Sequence, residues 1–158
     1  MTTTTKPIPD TYRRITPSLV VAGGDRAIDF YVEVFGATER MRVPGPGGTI
    51  AHAELDLGDS VLMVDDASPL MGTKAPPSRG LDGTPVSLYV YVEDVDATIE
   101  RAVALGATLV RPAGDQFYGD RNGAIVDPFG HAWVVATHIE DVAPEEMMRR
   151  MSELEATS

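Results

Sequence analysis

"DQFYGDRNGAIVDPFGHAW" (residues 115–133) gathers aromatic side chains, the charged pair Asp120 and Arg121, three glycines and a proline into one short stretch. A catalytic loop, a phosphate cradle and a hairpin lining a site would each draw on such residues. The glycines stand at 119, 123 and 130, so no strand followed by G-x-G-x-x-G and a helix is present, and the phosphate reading falls. The other two are separated by what else in the chain shares this pattern.

Working outward, the chain carries one pattern twice. "ITPSLVV" from Ile15 has the β-branched run of a strand, "GGD" breaks it, and "RAIDFYVEVFG" sets Ile28, Tyr31, Val32 and Phe35 at helical spacing until Gly36 stops the helix. "TERMRV", a turn-rich "PGPGG", the strand "TIAHAEL", a tight "DLGD" turn and the strand "SVLMV" complete a β-α-β-β-β order. In the second half "VSLYVYV" is a strand, Asp94 is the expected N-cap, Val95, Ile99, Ala102 and Val103 form the apolar stripe, and Gly106 closes the helix. "GAT" recurs at Gly36-Ala37-Thr38 and Gly106-Ala107-Thr108, and Ala27 matches Ala97 at the same offset of 70. Downstream the offset drifts to 72, where "GDSVLMV" from Gly58 faces "GHAWVVA" from Gly130.

The stretch 115–133 therefore occupies the hairpin slot that "TIAHAELDLGDSV" fills in the first module, with Pro128 and Gly130 suited to the "DPFG" turn. The expected fold is α+β, two tandem β-α-β-β-β modules. A loose N-terminal arm covers 1–14, the modules cover 15–65 and 86–138, and a linker with four prolines and three glycines covers 66–85. Residues 139–158 hold a C-terminal helix starting at Pro144, whose stripe of Met147, Met148, Met151 and Leu154 is expected to pack on its own subunit, with a dimer contact or a lid as the alternatives.

Composition narrows the function. At 158 residues, 43% hydrophobic and 23% charged, the chain is an ordinary globular length with no apolar run near the roughly 18 residues of a membrane span. There is no cysteine and no apolar leader in "MTTTTKPIPD", so the expected location is cytoplasmic, without disulfide or thiolate chemistry. A net charge of -11 argues against nucleic acid and mildly favours cationic or neutral ligands.

The paired modules, the helices ending in "FGA" and "LGA", and the closing "DPFGHAW" resemble the vicinal oxygen chelate superfamily, which includes glyoxalase I, extradiol dioxygenases and bleomycin-resistance proteins, over residues 15–138. "AIDFYVEVFGA", "HAELDLGDSVLMV", "DQFYGDRNG" and "ATHIEDVAPEEM" are similar to its PhnB-like branch. The resemblance implies sheets curled into half-cups, a ligand cavity enclosed by paired modules, and homodimers. It also implies four metal-ligand positions, which fall at Thr16 (Ser18 if the first strand slips by two), Leu62 or Met63, Ser87 and Val134. None is an imidazole or carboxylate, and a hydroxyl or thioether is a poor ligand for the metals of such sites. His52, His131 and His138 lie outside these positions. The expectation is a cup with no metal and no cofactor.

In "TIAHAEL" a period of two puts His52 and Glu54 on one strand face, with Ala51, Ala53 and Leu55 on the other, under the helix. His52 and Glu54 are thus an acid-base candidate or, alternatively, a recognition or structural pair. The same period sends Ser87, Tyr89 and Tyr91 to one face. Ser18, Ser87, Tyr89, Tyr91, Phe117, Tyr118 and Arg121 are the expected ligand-facing residues; the alternatives are ordinary strand aromatics and a surface pairing of Arg121 with Asp120 or Asp115. Trp133 is expected in the core. Two functions follow. One is sequestration of a small amphipathic or aromatic molecule, as bleomycin-resistance proteins perform. The other is catalysis, either by a metal-independent isomerase or lyase using His52 with Glu54 or Tyr89, or by a glyoxalase-like metalloenzyme with a rearranged site.

Overall fold

The structure is a computed structural model that describes residues 5–76 and 84–158. The chain divides into two compact units between Pro76 and Pro77. The first contains β1 (Ser18–Val21), α1 (Gly24–Phe35), β2 (Thr38–Pro44), a 3-10 turn at Pro46–Gly48, β3 (Ile50–Leu57) and β4 (Ser60–Asp66). The second contains β5 (Ser87–Tyr91), α2 (Val95–Ala104), β6 (Thr108–Asp115), β7 (Asp120–Val126), β8 (Ala132–His138) and then α3 (Pro144–Ala156). The sheets run β1-β4-β3-β2 and β5-β8-β7-β6, each with one parallel pair, β1 with β4 and β5 with β8. The internal repeat is thus one α+β plan built twice, as the sequence predicts.

Local chemistry sets the helix ends. Gly36 takes φ 68 and returns its N–H to the carbonyls of Tyr31 and Val32, a conformation that needs no Cβ. The Asp94 carboxylate accepts the Ala97 N–H at 3.0 Å, and Pro144 opens α3 with Glu145 and Glu146 in the first turn. The α1 N-terminus is capped from a distance. Asp66, at the end of β4, accepts the N–H groups of Gly23 and Gly24, each at 2.9 Å, and that of Ile50 at 2.7 Å.

α1 buries Ala27, Ile28, Phe30, Tyr31 and Val34, whereas Val32, expected in the stripe, is turned outward. The i, i+3, i+4, i+7 row from Ala27 sets the contact line, and Val32 falls off it. In α2 the buried residues are Val95, Ile99 and Ala102; Val103 is likewise exposed. Trp133 is in the core as expected, its indole N–H donating to Asp127 at 2.8 Å, and the same carboxylate accepts the Phe129 and His131 N–H groups that close the "DPFG" turn. Gly123 lets α2 and β6 close on β7, since a Cβ there would lie 2.5 Å from Ile99 Cδ1 and 2.9 Å from the Arg111 carbonyl oxygen.

Two further expectations are corrected. Ala51 is exposed, not under α1 with Ala53 and Leu55: Val43 faces His52 while Pro44 faces Ile50, so Ala51 is the extra residue of a β-bulge and Ile50 takes the buried position. Most of the α3 stripe is not packed among the described residues, because no residue of α3 is buried, Met147 is only half-buried, and Met148, Met151 and Leu154 are exposed. Arg150 holds the helix instead, donating to the Phe117 carbonyl at 3.1 Å and to both Glu140 oxygens at 2.7 and 2.9 Å. Part of the expected linker, residues 77–83, lies outside the described residues.

Candidate functional site

Each sheet has one face against its helix and a second face turned away from it. Cross-strand partners share a face, so the registers assign the second face directly. In the first sheet Ser18 lies beside Met63, Met63 beside Glu54 and Glu54 beside Met41. In the second sheet Ser87 lies beside Ala132, Tyr89 beside Val134, and Tyr91 beside Ala136, with Ala136 beside Asn122.

The second sheet's open face carries a connected polar network. Tyr89 and Tyr91 both donate their hydroxyls to Oδ2 of Asp120, at 2.6 and 3.0 Å, with ring centroids 5.3 Å apart. Asn122, fully buried, donates from Nδ2 to the hydroxyls of Tyr89 at 3.0 Å and Tyr118 at 2.6 Å, and its Oδ1 accepts from Arg111 at 2.7 Å. His138 bridges Asp120 Oδ1 at 2.8 Å and Asp141 at 2.7 Å. Burial alone would push the Asp120 carboxyl up, but the Tyr89 hydroxyl, the His138 ring and the Tyr91 hydroxyl outweigh it and hold the group below the usual carboxylate range. His138 is raised by its bonds to Asp120 and Asp141. Tyr89 is pushed far up by burial and by Asp120, so it stays a neutral phenol and serves as donor, never as base.

The first sheet's open face holds His52 between two carboxylates, Asp65 on Nδ1 at 2.7 Å and Glu54 on Nε2 at 3.1 Å. Burial lowers the imidazole's proton affinity, yet the two carboxylates more than reverse this, and His52 is raised. An imidazolium donating from both nitrogens suits this setting; in that form it neither takes a proton nor binds a metal. Glu54 is only 4% exposed although no helix covers its face. Tyr12, from the segment before β1, donates its hydroxyl to both Glu54 oxygens at 3.0 and 2.8 Å, and the Arg40 guanidinium lies 5.3 Å from the Tyr12 ring centroid.

The donor set does not fit a chelating metal. Leu62 faces Leu55 on the helix side, so of the two alternatives it is Met63 that stands on the open face. Thr16 precedes β1, donating its hydroxyl to the Arg13 carbonyl at 3.0 Å, and Ser18 is the first strand residue there. Hydroxyls at Ser18 and Ser87, the Met63 thioether and the Val134 isopropyl group offer no imidazole or carboxylate. Among the described residues no group of three or more His, Asp or Glu is arranged to hold a metal ion.

The structure brings Tyr89, Tyr91 and Tyr118 together and places Phe117 beside Tyr118, rings 5.2 Å apart, in the turn between β6 and β7. Arg121 sits elsewhere. It alternates with Asp120 and Asn122 and so points to the helix side, where it donates to Asp96 at 2.7 and 2.9 Å and to Asp115 at 3.0 Å. Sequence reasoning missed Asp120 and Asn122 as partners of the tyrosines, and His138 and Arg111 as the groups that hold those two in turn. The signal for two of them was present, since a period of two through "DRNGAIV" puts Asp120 and Asn122 on one face. Tyr12 and Arg40 carry no such local signal.

Two copies of a βαβββ unit in one chain define a fold class, and the comparisons agree. The Glyoxalase/Bleomycin resistance protein/Dioxygenase superfamily matches residues 13–135, and the chain belongs to that family. It is 43% identical over 139 residues, 87% of this chain and 82% of the other, to an uncharacterised protein of Mycobacterium tuberculosis. Among solved structures it is similar to TioX from Micromonospora sp. ML1, with 33% identity and TM-score 0.61 over 80% of this chain and 99% of that one. A PhnB protein from Bacillus cereus shares the fold at TM-score 0.61 and 22% identity, over 79% of this chain and 99% of that one. Among the described residues no helix is long and apolar enough to cross a membrane.

Proposed function

We propose that this protein binds a small amphipathic or aromatic molecule without a metal, as a sequestration or resistance protein, and that the Tyr89–Tyr91 face is where the ligand's planar part rests. The observation that carries this reading is the pinning of both tyrosine hydroxyls on one buried carboxylate while the two residues stay 45% and 63% exposed. Ring surface held in place in advance loses little rotamer freedom on binding, so its stacking and burial go into affinity. Tyr118 and His138 supply polar groups beside the rings that can fix orientation, with Asn122 buried behind them as a brace. The net charge of -11 suits a neutral or cationic ligand. A cytoplasmic homodimer is part of the same reading, supported by the exposed α3 stripe.

Catalysis by His52 and Glu54 has weaker support, because both ring nitrogens of His52 are already engaged by carboxylates, Asp65 and Glu54, and neither is open to a substrate. The deciding experiment is a thermal-shift screen of planar aromatic compounds, with and without divalent metals, followed by calorimetry on Tyr89→Ala, Tyr91→Ala and His52→Ala. Stabilisation by an aromatic compound, independent of metal and lost in the tyrosine variants, supports binding. Turnover of a compound that His52→Ala abolishes, with binding intact, would replace this reading with an enzymatic one.

A further inference from the structure

We propose that the open face of the first sheet is a second binding site, selective for a neutral phenol-type hydroxyl, and that the chain's own Tyr12 fills it as a displaceable self-ligand. This stands apart from the Tyr89 reading, since it rests on the contacts of the first unit alone.

The Tyr12 side chain is recognised in the way a ligand would be. Its hydroxyl donates to both oxygens of a buried carboxylate, Glu54, and its ring lies beneath the Arg40 guanidinium at 5.3 Å. Arg40 is itself fixed by Asp56 at 2.7 Å, and Glu54 is backed by His52 at 3.1 Å. The pocket therefore stays satisfied when Tyr12 leaves: Glu54 keeps His52, with Arg40 at 3.8 Å, so no buried charge is orphaned.

The segment bearing Tyr12 is lightly held. Residues 5–11 and 13–15 are all exposed, Ile15 at 86%, so almost no apolar surface anchors the segment. Its other ties are Arg13 to the Asp59 carbonyl at 3.0 Å and carboxylate at 3.2 Å, and Arg40 to the Thr11 carbonyl at 3.4 Å. Beyond the Tyr12 contacts with Glu54 and Arg40, opening it breaks only surface contacts of this kind, which places it toward the low-stability end of local unfolding.

The same geometry defines the ligand. Glu54 accepts and cannot donate, so the occupant must carry a proton donor on an aromatic ring. An aromatic carboxylate would set its own acceptor oxygens against those of Glu54 and be repelled.

The test uses p-cresol, the tyrosine side chain as a free molecule, with toluene and benzoate as controls, titrated by NMR at pH 7 into wild type, Tyr12→Ala, Tyr12→Phe and Tyr12→Ala combined with Glu54→Gln. Tyr12→Ala should bind p-cresol at least tenfold more tightly than wild type. Tyr12→Phe should be intermediate, and Glu54→Gln should remove most of the gain. Toluene and benzoate should show no gain. Equal p-cresol affinity in wild type and Tyr12→Ala, or an equal gain for toluene, would overturn the proposal. Loss of the folded circular dichroism signal in both Tyr12 variants would also overturn it, by making the segment structural.

Discussion

The Tyr89 hydroxyl lies 2.6 Å from Oδ2 of Asp120, a carboxylate 4% exposed on a strand two places away in the sheet. That one contact turns a strand aromatic into an oriented wall, because Asp120 also receives Tyr91 and His138 and Asn122 braces the same hydroxyl. An acceptor shared by three donors is a sensitive point.

Asp120→Asn should therefore destabilise the protein by about 1–3 kcal/mol, since an amide offers one acceptor oxygen to three donors and sets its own N–H groups against them. Urea unfolding followed by circular dichroism reads this. A change within about 0.5 kcal/mol, the usual range for a surface substitution, would show that the network does not hold the sheet face.

Stability should be highest at mildly acidic pH. Glu54 is pushed up by burial but held below its ordinary range overall by His52 and Tyr12, and Asp120 is likewise depressed. Their contribution is present above the unfolded carboxyl value near ~4 and is lost as pH falls through the lower folded values. His52 and His138 are raised, so their contribution is complete below the unfolded value near ~6.5 and fades as pH rises through the folded values. The melting temperature should peak between about pH 4 and 6.5, and His52→Gln with His138→Gln should flatten the alkaline limb.

Once an aromatic ligand is found, Tyr89→Ala and Tyr91→Ala should each weaken it by about 1 kcal/mol or more, roughly fivefold, while His52→Ala costs less. Calorimetry checks the order. A larger loss at His52 would move the site to the first sheet.

Gly123→Ala should lower stability by about 1–3 kcal/mol through overpacking. The added methyl meets Ile99 and the Arg111 carbonyl, the second of which is backbone and cannot swing aside. A thermal melt unchanged from wild type would mean that α2 shifts freely on its sheet.

Light scattering at micromolar concentration should report a homodimer, since the exposed Met148, Met151 and Leu154 of α3 and the outward strands β2 and β6 leave apolar surface uncovered in one chain. A monomer would contradict this.

By itself the sequence determined whatever depends on neighbours along the chain. The β-α-β-β-β repeat, the stops at Gly36 and Gly106, the cap at Asp94, and the shared face of Ser87, Tyr89 and Tyr91 all follow from backbone dihedral preferences and from side-chain periods of 2 and 3.6, which act over a few residues. Even there the limit is visible at Ala51, where one bulge, set by the pairing of β2 with β3, undoes the alternation that predicted its burial. Tertiary structure alone decided which polar groups meet. Tyr12 reaches Glu54 across 42 residues, Tyr89 reaches Asp120 across 31, and Arg121 is taken by Asp96 on α2 instead of facing a ligand. Such contacts depend on strand register and on where a helix crosses its sheet, and those are settled by burial of the whole core, to which no local pattern has access.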